Sequence, residues 1–277
     1  MKKNAYLKTV YLHVLKSIRS SLIPSCVAML LYVCVTCFFF LHAVGLAAQS
    51  RPAQGSLRDM GPEIAAEFLV QYREKAMKRW SQDIETLEQR DVVQRDPEDA
   101  ILFIGSSSIR RWDTIKIDMR PYQVVQRGYG GAKYTDLAVF AKRLIHPHEY
   151  IALVVFVAND VQGKPEDHSP EQVEECARYI AGVSRKHRPE APIFFIEITP
   201  TRKRFSAWPF IRKVNTRLQK LSLSTPATYF IPTADHFLDP SGSPRDELFV
   251  DDQLHLNSDG YKKWSILIRR ELDEVLQ

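Results

Sequence analysis

Two short stretches of this chain carry groups that could do chemistry together. One reads Phe249-Val250-Asp251-Asp252-Gln253-Leu254-His255 and sets an acid three residues before a histidine. The other reads Ile101-Leu102-Phe103-Ile104-Gly105-Ser106-Ser107-Ser108 and places serines where an apolar run ends. A serine hydroxyl is a weak nucleophile at neutral pH. It becomes effective when an imidazole takes its proton and a carboxylate holds that imidazole in one tautomer. Two more stretches, Gly128-Tyr129-Gly130-Gly131 and Ala158-Asn159-Asp160, also follow apolar runs and offer groups able to steady negative charge. Each alone reads as an ordinary turn or helix cap. Three such exits together are more informative than any one.

The elements that must position these groups are visible as an alternation. Short apolar runs fall at residues 100–104, 123–126, 150–157, 192–199 and 228–232, with amphipathic segments at 135–145, 170–187, 208–223 and 257–276. Strands alternating with helices predict a parallel sheet covered on both faces, and ligands of such sheets bind beyond the carboxyl ends of the strands. The candidate residues collect at those ends. Upstream, Ile64, Phe68, Tyr72, Met77, Trp80, Ile84 and Leu87 recur near helical spacing, which predicts one or two helices between residues 62 and 89, packed on the outside of the domain.

In these blocks the chain resembles the SGNH hydrolases, also called GDSL-type esterases and lipases. That family carries its nucleophile in a Gly-Asp-Ser block after the first strand. Gly105-Ser106-Ser107 matches it, with Ser106 in place of the acid as in the Gly-Ser-Ser-Ser variant. The resemblance implies Ser107 as nucleophile, Asp252 and His255 as its partners, and the Ser107 and Gly128 N–H groups with the Asn159 amide as oxyanion donors. Val157 stands where the third block has glycine, which predicts a reshaped pocket beside Asn159. The implied fold is a flavodoxin-like three-layer α/β/α sandwich on a parallel five-stranded sheet. The implied activity is hydrolysis of carboxylic esters without metal or cofactor. No Gly-x-Ser-x-Gly pentapeptide surrounds the serines, which argues against a lipase-type α/β-hydrolase elbow.

The first 50 residues read as an export signal or signal anchor. Lys2, Lys3, Lys8, Lys16 and Arg19 precede an apolar run from about residue 27 to 48, long enough to span a bilayer, with small residues at its end that suit cleavage. Residues 51–99 form a linker and helical extension, and 100–277 the hydrolase domain. The net charge of +5 comes from those five basic residues, so the remainder is neutral and no nucleic-acid partner is implied. Membrane contact is expected only through the N-terminal segment. The expected substrates are small-molecule esters, glycan esters or lysolipids, with short acyl groups favoured. A catalytically idle, tethered binding domain and an O-acyltransferase using the same site are the alternatives. Intact Ser107, Asn159, Asp252 and His255 count against the first.

Other residues read more plainly. Cys26, Cys34 and Cys37 lie in or beside the apolar segment, and Cys176 falls in a helical pattern as a buried structural thiol. His146-Pro147-His148 has no third ligand at helical spacing, which predicts a solvated loop and not a metal site. Arg202, Lys203 and Arg204 follow the fourth strand as a solvated cluster that could meet an anionic substrate. Trp112 and Trp208 are candidate pocket walls, or core.

Overall fold

The computed structural model describes residues 67–277. The basic and apolar N-terminal segment, the linker and Ile64 lie outside the described residues. Among the described residues, no helix is long and apolar enough to cross a membrane.

Five parallel strands form one sheet in the order β2-β1-β3-β4-β5. They are β1 (Ala100–Gly105), β2 (Gln123–Gly128), β3 (Ala152–Phe156), β4 (Ile193–Ile196) and β5 (Thr228–Ile231). Seven helices accompany them among the described residues: α1 (Val70–Val93), α2 (Ser107–Arg110), α3 (Ile115–Asp118), α4 (Tyr134–Ile145), α5 (Pro170–His187), α6 (Trp208–Ser224) and α7 (Ser258–Leu276).

Strand residues alternate between two cores because successive side chains point to opposite faces. Leu102, Ile104, Leu153, Val155, Ile193 and Phe195 join the core under α1, α4, α5 and α6. Ile101, Phe103, Val154, Phe156, Phe194 and Ile196 join the core under α2, α3 and α7. Both faces are covered, so the central strands read as unbroken apolar runs. This is the expected α/β/α sandwich.

Local signals start the helices. Ser169 accepts from the Gln172 N–H, the Gln172 side chain accepts from the Ser169 N–H, and Pro170 opens α5. Asn257 caps α7 by accepting from the N–H groups of Asp259 and Gly260. Among the described residues the expected helical extension holds one long helix, α1, buried through Ala76, Trp80, Ile84 and Leu87. Met77 points outward instead. Arg127 with Asp91, and Arg143 with Glu88, pin α1 to the sheet domain.

Candidate active site

The exit of β1 is shaped for a sharp turn. Gly105 has φ +151°, and a Cβ there would overlap the carbonyl oxygen of Phe156 on β3. Only glycine suits that position. The Ser106 N–H then bonds the same carbonyl at 3.0 Å, and Ser107 becomes the first residue of α2. An N–H at that position has no partner within its helix and stays available.

The Asp252–His255 loop meets this turn from the chain's C-terminal side. Phe249 and Leu256 form an antiparallel bridge, and Gln253 turns the loop with φ +54°. Asp252 Oδ1 accepts from the N–H groups of Leu254 and His255, each at 2.9 Å. Its Oδ2 lies 2.6 Å from His255 Nδ1, and His255 Nε2 lies 2.9 Å from Ser107 Oγ. Burial alone would raise the Asp252 carboxyl. The His255 backbone N–H, the His255 ring and the Leu254 N–H outweigh that and hold it down at about 2. The ionised carboxylate therefore takes the Nδ1 hydrogen, which leaves Nε2 to accept from the serine hydroxyl. Asp251 is exposed and makes none of these contacts. Arg111 Nη1 approaches Asp252 Oδ2 at 3.4 Å from the half-exposed rim.

The sheet order puts the other candidates on either side of Ser107. Gly105 pairs with Gly128 on β2 and with Phe156 on β3, so Gly128 and Asn159 flank the nucleophile's turn. Helix α2 lies so close to Gly128 that a Cβ there would stand 2.5 Å from the Arg110 nitrogen. Asn159 is buried. Its Nδ2 donates one hydrogen to the Ala132 carbonyl at 3.0 Å, and its Oδ1 accepts from Arg204 Nη2 at 2.6 Å. The second Nδ2 hydrogen remains for a ligand.

The geometry is that of a Ser-His-Asp constellation, with Gly128 and Asn159 on either side of the serine's turn. A family model, the GDSL-like lipase/acylhydrolase family, matches residues 105–263, more than half of the chain. The chain belongs to this family. Membership makes it a hydrolase of ester bonds. Its fold is similar to that of a Streptococcus pneumoniae protein provisionally described as a platelet activating factor, with TM-score 0.62 and 18% identity over 76% of this chain and 100% of that one. A provisionally assigned Bacteroides fragilis acylhydrolase gives 0.59 and 16%, over 73% and 97% of the two chains. A GDSL-like lipase from Bacteroides thetaiotaomicron gives 0.57 and 13%, over 69% and 97%. No curated protein matches the sequence significantly.

Within this GDSL-like chain the weaker candidates take several different places. Trp112 is fully buried, donates from Nε1 to Asp118 Oδ2 at 2.7 Å and stacks on Tyr261. It is core and not a pocket wall, because an indole enclosed on all sides has no face left for substrate. Tyr261 in turn donates to the Ser108 carbonyl at 2.9 Å, so this aromatic group underpins α2. Val157 is likewise buried in the core. Arg202 is half-exposed and pairs with Asp246 at 3.0 Å. Trp208 lines a separate cleft of about 560 Å³ with Glu197, Arg212 and His236, and none of Ser107, Asn159, Asp252 and His255 forms its walls. Burial raises the Glu197 carboxyl there, opposed by the N–H groups of Ala234 and Thr233.

The histidine loop and the cationic run also need correcting. His148 is buried and bonds Asp96 through Nδ1 at 2.8 Å, while His146 stacks on His187. His146 and Pro147 are exposed as a solvated loop would be, and only His148 is buried. Arg204, read as one of a solvated cluster, is buried and bonds the Ala158 carbonyl as well as Asn159. Cys176 is buried as expected, and burial pushes its thiol up.

Three residues that the sequence singled out for other reasons turn out to support the site. Arg204 is one. Asp160 is another: buried beside Asn159, it accepts from the Tyr134 N–H that opens α4 and lies 3.0 Å from His168 Nδ1. The third is Trp80, whose ring fills the space that a side chain at position 130 would need and meets Tyr129 edge-on. A helix outside the matched region thus backs the loop that follows Gly128 and carries Ala132.

Proposed function

We propose that this chain hydrolyses carboxylic esters of short acyl or O-acetyl groups through an acyl-enzyme on Ser107. The observation that carries the reading is the continuous run from Ser107 Oγ to His255 Nε2 at 2.9 Å and from His255 Nδ1 to Asp252 Oδ2 at 2.6 Å.

Ser107 Oγ attacks the ester carbonyl carbon while His255 Nε2 takes the hydroxyl proton. Asp252 stays ionised and stabilises the imidazolium. The carbonyl electrons move to oxygen, where the N–H groups of Ser107 and Gly128 and the Asn159 amide receive the charge. Collapse of the tetrahedral species expels the alcohol, which takes its proton from Nε2. Water then repeats the sequence on the acyl-serine and releases the acid.

Short acyl groups are favoured because the sequence after residue 48 has no long apolar stretch that could act as a lid. An exported location is supported by the basic and apolar N-terminal run. N-terminal sequencing of the protein from a bacterial host should find a start between about residues 48 and 51. An intact, carbonate-resistant membrane protein would replace cleavage by an anchor.

The direct test is a panel of p-nitrophenyl acetate, butyrate and longer esters beside O-acetylated glycans and lysolipids. Turnover should favour the short acyl groups. Ser107→Ala should abolish it without changing the fold, since removing a hydroxyl from a turn opens no core cavity. Ser106→Ala and Ser108→Ala should retain appreciable activity. A dead Ser106→Ala beside an active Ser107→Ala would move the nucleophile.

A further inference from the structure

Arg204 is a buried cation that the proposed chemistry does not use. It is 9% exposed, and no carboxylate among the described residues lies within ion-pair distance of it. The nearest acids whose field it feels are Asp167 and Asp160. Taking a guanidinium out of water is costly unless its donors are satisfied. Its bonds go to one dipeptide: Nη1 donates to the Ala158 carbonyl and Nη2 to Asn159 Oδ1, both at 2.6 Å.

Those contacts decide which way the Asn159 amide faces. A guanidinium carries only donors, so the amide oxygen must point at it. On the other side the Ala132 carbonyl requires the amide nitrogen, at 3.0 Å. Arginine and carbonyl together exclude the flipped amide, which would aim an oxygen at the developing oxyanion. The cation on Oδ1 also polarises the amide and strengthens the remaining N–H as a donor, because hydrogen bonds in series reinforce one another.

We propose that Arg204 is a positioning residue that acts through Asn159, locking the amide and strengthening its free N–H toward the transition state. The proposal rests on the reading of Asn159 as an oxyanion donor. The same 3-10 turn, Arg202–Ala207, also reaches the other half of the site, since the Lys203 N–H bonds the Gln253 carbonyl between Asp252 and His255 at 3.2 Å. One segment therefore sets the oxyanion side in register with the general base.

A double-mutant cycle tests this on the full chain with p-nitrophenyl acetate, with melting temperatures measured for every variant. Arg204→Met should lower kcat roughly 10- to 100-fold and change KM less than about twofold, the split of an interaction made in the transition state. In an Asn159→Ala background the same change should cost less than about threefold, because the residue it acts through is gone. Arg204→Lys keeps the charge without the planar fork and should fall between wild type and Arg204→Met. Should Arg204→Met fail to fold, the cycle with Arg204→Lys decides in the same terms. An equal loss in both backgrounds, or a rise in KM with kcat unchanged, overturns the proposal. Those results differ from failure of the underlying reading, in which Asn159→Ala itself would keep full kcat.

Discussion

At the scale of single residues, the site depends on which of two adjacent acids reaches His255. Asp252 does, through both carboxylate oxygens, while Asp251 faces solvent. Asp252→Asn keeps the shape but can present its amide to Nδ1 and favour the wrong tautomer, so kcat should fall by about 10⁴. Asp251→Asn should stay within about twofold of wild type, a difference steady-state assays resolve easily. Asn159→Ala should lower kcat roughly 10²- to 10³-fold with little change in KM. These residues were legible because the chemistry demands their types at fixed spacing: Gly-Ser-Ser after a strand, Asp-x-x-His near the end. Arg204 was not. Third in a run of cations, it differs from Arg202 only in where the 3-10 turn aims it, and that direction is set by packing after β4.

At the scale of elements, the strands were legible for a physical reason. A sheet covered on both faces needs apolar residues at consecutive positions, and the runs around Ile101 and Val154 have them. Helix α1 was legible from its buried stripe. Helices α2 and α3 were not, since four residues hold barely one turn and no periodicity. The partner of α1 was also hidden: nothing local links Trp80 to Gly130, and only the folded chain brings them together. Trp80→Ala should cost about 3 to 5 kcal/mol of stability, as for other buried tryptophans, and be seen as a lower urea midpoint. It should also lower kcat by loosening the loop that follows Gly128 and carries Ala132. Unchanged kcat in a destabilised Trp80→Ala would confine α1 to a structural role.

At the scale of the whole molecule, the sheet separates two cores and gathers the polar residues at one edge, where β2, β1 and β3 end side by side. The match to the family begins at Gly105, so α1 is an addition to the matched region that the fold has made part of its first core. Acid stability should carry the signature of Asp252. A carboxyl held at about 2 in the folded chain, against an ordinary 3.8, contributes stability that is complete above the ordinary value and lost as pH falls toward 2. The melting-temperature difference between wild type and Asp252→Asn should therefore shrink as pH falls between about 4 and 2. Partial exposure keeps the effect small. The central claim is that Ser107, activated by His255, forms the covalent bond to substrate. Reaction with a p-nitrophenyl phosphonate ester, followed by intact-mass and peptide mapping, tests it most directly. The account predicts one adduct per chain, on Ser107, lost in His255→Ala; an adduct on Ser106 or Ser108, or ester turnover that survives full modification, would contradict it.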